Sequence, residues 1–115
     1  MDEPAIDRTV YEDLKSTTGA EFVRDLVGTF LAEAPTMLDD LRRALAANDA
    51  ERFRRTAHSL KSNSNTFGAM TLGALARKLE VEGLAPVRET GGAQLDVLAR
   101  EYARVSQALQ ELQRA

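Results

Sequence analysis

The chain holds one histidine, His58, in the run Ala57-His58-Ser59-Leu60-Lys61-Ser62-Asn63-Ser64-Asn65-Thr66-Phe67-Gly68-Ala69. Phe53, Ala57, Leu60, Ser64 and Phe67 recur at helical spacing as an apolar or small-residue stripe. At roughly 100° per residue, His58 points about 140° away from the mean direction of that stripe, on the solvent side of an amphipathic helix. The residues sharing its side are Glu51, Arg54, Arg55, Lys61, Ser62 and Asn65, most of them cationic or small. An imidazole, with an ordinary pKa of about 6.5, is largely neutral and nucleophilic near pH 7. Phosphoryl transfer through a side chain needs such an accessible nucleophile, nearby positive charge, and open surface for in-line approach. Lys61, one turn along the same face, can reach phosphoryl oxygens on His58, and the small Ser62 at the next position leaves the approach clear.

Other chemistries fit less well. A Ser-His-Asp arrangement lacks a carboxylate close in sequence and a strained turn to present a nucleophile. Zinc would need ligands that a chain with no cysteine and one histidine does not offer. A surface histidine with no task, and a merely solvated face for Arg54 and Arg55, are the plain alternatives.

The 115 residues are expected to form one domain, 1–115, with an N-terminal segment and short helix over 1–19 and a helical bundle over 20–114. The absence of cysteine excludes disulfides and thiolate chemistry and is compatible with a reducing cytoplasm. The acidic start Met1-Asp2-Glu3-Pro4 and the interruption of the most hydrophobic stretch by Arg24 and Asp25 argue against a signal peptide or membrane span. Net charge is −3, unevenly spread: residues 1–40 hold ten acids and three bases, residues 52–79 six bases and no acid. The positive field therefore centres on His58. Overall acidity, with Phe67 the one aromatic residue in 54–79, argues against nucleic-acid binding.

Glycine and proline divide the chain into helical blocks, and no stretch alternates like a strand. A short helix over 7–15, carrying Val10, Leu14 and Tyr11, precedes Thr18-Gly19-Ala20-Glu21, which reads as a capping box. A first main helix buries Phe22, Val23, Leu26, Val27, Phe30 and Leu31, and Gly28 within it suggests close packing by a neighbour. Pro35 fits the first turn of a second helix with Leu38, Leu41 and Leu45 inward, ended by Asn48-Asp49. Asp49 caps the His58 helix, which runs to about Phe67, where Gly68 permits a turn and the small-residue end packs against Gly73 and Ala74. Ala69, Leu72, Leu75, Ala76 and Leu79 define another helix closed by Gly83, residues 84–92 read as a loop, and Leu95, Leu98, Tyr102, Val105, Leu109 and Leu112 form the seam of the last. The predicted fold is an all-α, up-and-down antiparallel four-helix bundle with an additional short N-terminal helix. If the first block between residues 20 and 114 shares its role with the leading segment, five helices for four positions leave one peripheral, either the segment before residue 20 or the first main helix.

From Ala57 to Glu80 the chain resembles the histidine-containing phosphotransfer (HPt) domain family. The resemblance rests on Ala57-His58, Leu60-Lys61, Ser62, Ser64, Gly68-Ala69, Leu72, Leu75 and Leu79-Glu80. It extends more loosely over most of the chain. It implies a helical bundle whose histidine takes a phosphoryl group from one receiver-domain aspartate and passes it to another, with His58 as acceptor and Lys61 as electrostatic stabiliser. Many members carry glycine after the lysine; Ser62 is still small, so docking is expected to survive with altered partner preference.

The expected protein is a free-standing, monomeric, cytoplasmic phosphocarrier of a multi-step His-Asp phosphorelay. Its partners would be receiver domains of a hybrid histidine kinase and of a response regulator, without nucleic acid or membrane. No ATP-binding glycine box is present, so autokinase activity is not expected. The chain would bind no cofactor; the partner's acidic pocket would supply Mg²⁺ and the aspartate. Arg54, Arg55 and Lys61 would steer that pocket, with Ser62 and Asn65 in the docking face. A non-catalytic receiver-binding adaptor and a structural helical interaction module are the alternatives.

Overall fold

A computed structural model describes residues 4–114, and every regular element among them is a helix. In chain order they are α1 (Arg8–Thr18), α2 (Ala20–Ala47), α3 (Ala50–Thr66), α4 (Met70–Glu82), α5 (Leu84–Glu89) and α6 (Ala93–Arg114). α3 packs against both α2 and α4, and α6 closes the ring by meeting α2 and α4. The very short α2–α3 and α3–α4 connections force these neighbours to run antiparallel. The result is the expected four-helix bundle, with α1 as the additional N-terminal helix. Residues 1–3 of the acidic start lie outside the described residues.

The core forms where the apolar stripes meet. Leu41, Phe53, Leu60, Leu72, Leu98 and Leu109 are fully buried, one or two from each bundle helix. Phe30 of α2 joins three elements: its ring lies 5.4 Å from that of Phe67 after α3 and 5.9 Å from that of Tyr102 on α6, both inclined.

The peripheral element is α1, not the first main helix. Asp7 caps it by accepting from the backbone N–H groups of Thr9 and Val10. The Asp7 N–H donates to the Gly68 carbonyl at 2.7 Å, and Gln113 Nε2 donates to the Tyr11 hydroxyl at 2.6 Å. These bonds fasten α1 over the end of the bundle where α3 and α6 terminate. Of its apolar residues Tyr11 is the buried one, while Val10 and Leu14 are half-buried.

Several local expectations are corrected. Pro35 does not start a helix; it lies inside the continuous α2. Val23, Val27, Phe30, Ala34, Leu41 and Ala44 are all buried, so the i+3/i+4 stripe continues in phase across the proline. Burying those side chains, at about 1.5–3 kcal/mol for each large one, outweighs about 3 kcal/mol for an interior proline. The carbonyl left without its helical donor is that of Leu31, and the Tyr102 hydroxyl donates to it weakly at 3.4 Å. Thr18-Gly19-Ala20-Glu21 is not a capping box: Gly19 occupies the cap without a side-chain bond, and Thr18 Oγ1 donates back to Leu14 O within α1. Phe22 is exposed, and no atom comes within 4 Å of a Cβ built on Gly28, so no neighbour packs closely there. Residues 84–92 are not wholly loop. Gly83 at φ +81° ends α4 and allows α5 to start at once, and Pro86 falls in the first turn of α5, where no helical donor is needed. Leu84 and Val87 of α5 are buried.

Candidate functional site

α3 exists because its cap and its stripe agree. The Asp49 carboxylate accepts from the Arg52 N–H at 3.1 Å, and Phe53, Ala57, Leu60 and Ser64 are buried. Ser64 satisfies its buried hydroxyl by donating to Leu60 O at 2.6 Å. With that face turned inward, Arg54, Arg55, His58, Ser62 and Asn65 are all exposed, and the His58 side chain keeps 55% of its surface. Gly68, at φ +85°, then turns the chain into α4.

That turn sets a register. His58 and Glu80 each lie eleven residues from Ala69, about three helical turns, so the two helices bring them face to face. His58 Nδ1 is 2.7 Å from Glu80 Oε2, and Lys61 Nζ is 2.9 Å from Glu80 Oε1. The bonds from Lys61 and from His58 hold the Glu80 carboxyl below its ordinary range, against a smaller opposing effect of burial. Glu80 is therefore an ionised acceptor at neutral pH. A carboxylate that can only accept requires the hydrogen of neutral His58 to be on Nδ1, which leaves Nε2 with its lone pair. Lys61, with 24% of its side chain exposed, is drawn against Glu80 rather than extended into solvent.

His58 and Lys61 thus meet at one carboxylate, with Ser62 and the two arginines exposed on the same helix. Arg52, counted among the bases of this region, is paired with Asp40 of α2 at 2.8 Å. Asn65 is on the face, but its amide lies against Gly73 of α4. Gly73 is buried and Ala74 exposed, so only the glycine receives the end of α3. Glu80 is a site residue to which sequence reasoning gave no role, although it stands in the Leu79-Glu80 motif. Its signal was its symmetric distance from the turn, whereas only carboxylates near His58 in sequence were weighed. Among the described residues no group of three or more His, Cys, Asp and Glu side chains could hold a metal ion, and no helix is long and apolar enough to cross a membrane.

A family model, the Hpt domain, matches residues 25–115. The chain belongs to the Hpt domain family. Among solved structures this Hpt chain is similar to histidine-containing phosphotransfer protein B (HptB) from Pseudomonas aeruginosa PAO1, at 28% identity and a TM-score of 0.87, over 98% of this chain and 97% of that one. The comparison with curated proteins finds no match. Hpt proteins are histidine phosphocarriers in phosphorelays, not kinases, and work with response-regulator receiver domains. The matched region begins within α2, so α1 lies outside it.

Proposed function

We propose that His58 is the phospho-accepting residue, taking a phosphoryl group from the aspartyl phosphate of one receiver and delivering it to the aspartate of another. The observation that carries this reading is an exposed imidazole whose Nδ1 bonds to an ionised carboxylate. Nε2 attacks phosphorus, the Nε2–P bond forms as the P–O bond to the aspartate breaks, and the electron pair of that bond returns to the receiver's carboxylate. No proton need leave. The imidazole becomes cationic with its Nδ1 hydrogen still bonded to Glu80, whose negative charge stabilises that cation. Reversal onto a second aspartate restores neutral His58.

Lys61, paired with the Glu80 carboxylate that also holds His58, turns an N–H toward a phosphoryl oxygen as its electrostatic stabiliser. Arg54 and Arg55 steer an acidic receiver pocket, and Ser62 and Asn65 lie under its docking footprint. In this reading Mg²⁺ belongs to the receiver, the donor and acceptor are a hybrid kinase's receiver and a response regulator, and the carrier works as a cytoplasmic monomer without ATP.

Incubation with a panel of receivers, phosphorylated on their aspartates, tests the proposal. Transient label on the chain, passed on to a second receiver, is the expected result. Binding without transfer would make it an adaptor, and neither binding nor transfer would leave a structural helical module.

A further inference from the structure

Asn65 and Gly73 share the register that pairs His58 with Glu80, each lying four residues from Ala69. A Cβ at residue 73 would overlap the Asn65 amide oxygen and stand 2.9 Å from its Cγ and 3.4 Å from its Nδ2. All three nearest atoms belong to that one side chain. Gly73 is not among the glycines with positive φ, so its backbone does not require glycine, and in a helix interior alanine would be the better helix former. What glycine supplies at 73 is room, and the Asn65 amide fills it.

Asn65 lies on the His58 stripe, seven residues on, roughly 20° around the helix and about 10 Å along its axis. A partner covering about 800 Å² centred on His58 would reach beyond Asn65. Phosphoryl transfer needs reacting atoms about 3–3.5 Å apart, and a misplacement of about 1 Å can cost about a hundredfold in rate. We propose that Gly73 is a clearance residue: its missing side chain lets α4 stow the Asn65 amide below the contact plane, keeping the face around His58 low enough for a receiver to dock. The proposal rests on His58 being the phospho-acceptor. It makes Gly73 a positioning residue that touches neither partner nor phosphoryl group.

The test compares wild type, Gly73→Ala, Asn65→Ala and the double variant for phosphoryl transfer from one receiver loaded with acetyl phosphate, with thermal midpoints measured alongside. Gly73→Ala drives the amide outward and should slow transfer about tenfold without lowering the midpoint. Asn65→Ala, which takes the amide out of the docking face, sets the baseline rate against which the double variant is read. The double variant should recover that rate, since the atoms that the new Cβ would strike are gone; a role of Gly73 in helix packing alone would leave it as slow as the single variant. Wild-type transfer with Gly73→Ala equally fast, or slow transfer that the second substitution does not rescue, would overturn the clearance role while leaving the assignment of His58 intact. Absence of transfer in all four proteins, wild type included, would overturn the assignment and the clearance role together.

Discussion

Glu80→Gln keeps a carbonyl oxygen for the Nδ1–H of His58 but removes the charge that stabilises a cationic imidazole. The expected outcome is a fall in phosphoryl transfer rate of about ten- to a hundredfold with the fold retained, read by quenched-flow transfer from a phosphorylated receiver. An unchanged rate would reduce Glu80 to a bystander. The same carboxyl has a pH signature. Its pKa in the folded chain lies below the ordinary 4.5, so its pairing stabilises the fold fully above that pH, and the contribution is lost as pH falls through the lowered folded value. An NMR titration of the Glu80 side chain should therefore give a midpoint below 4.5; a midpoint at or above it would contradict the pairing with Lys61 and His58. At this scale the sequence was legible wherever the partners share one helix, because 3.6-residue periodicity alone puts His58, Lys61 and Ser62 on one face. It offered Glu80 only as part of the Leu79-Glu80 motif and not as a partner of His58, because that contact depends on where the intervening turn is centred.

The elements were legible where caps and stripes agreed, as at Asp49 and α3, and misread where a single residue was taken to override a stripe. Pro35 is the instructive case. The buried positions of α2 stay in phase on both sides of it, so the packing energy of the whole face decides the element and the proline remains a local defect. Pro35→Ala should restore an N–H for the Leu31 carbonyl and raise stability by about 2 kcal/mol, somewhat less than the cost of an interior proline because the proline also restricts the unfolded chain. Urea denaturation would show this as a higher midpoint at unchanged slope; a lower midpoint would mean that the proline fits α2 without cost. Gly68 is the opposite case, a residue whose role was visible in advance. With φ at +85° and a would-be Cβ 2.7 Å from the Asp7 carbonyl oxygen, Gly68→Ala should cost about 2 kcal/mol or more and loosen α1 from the end of α3. Unchanged urea stability, with equal protection of α1 from proteolysis, would contradict that account.

Across the whole molecule, stability and chemistry occupy different atoms. The buried stripes of α2, α3, α4 and α6 close a core that contains none of the exposed groups around His58, and the uneven charge leaves an electropositive neighbourhood on an otherwise acidic protein. α1 and α5 seal the ends and flank without entering the site. This separation is why the fold class could be inferred from periodicity while the choice of peripheral element could not: both N-terminal helices are amphipathic, and only the tertiary bonds of Asp7 and Tyr11 distinguish them. It also means that the acceptor can be removed without unfolding the bundle. The central claim is therefore tested most directly by labelling the wild-type chain and His58→Gln from a phosphorylated receiver and locating the phosphoryl group by ¹⁵N-resolved NMR. The account predicts phosphorus on Nε2 of His58 in the wild type, with no label on a His58→Gln chain of unchanged helical content and urea midpoint; labelling of that variant to the wild-type level would contradict it.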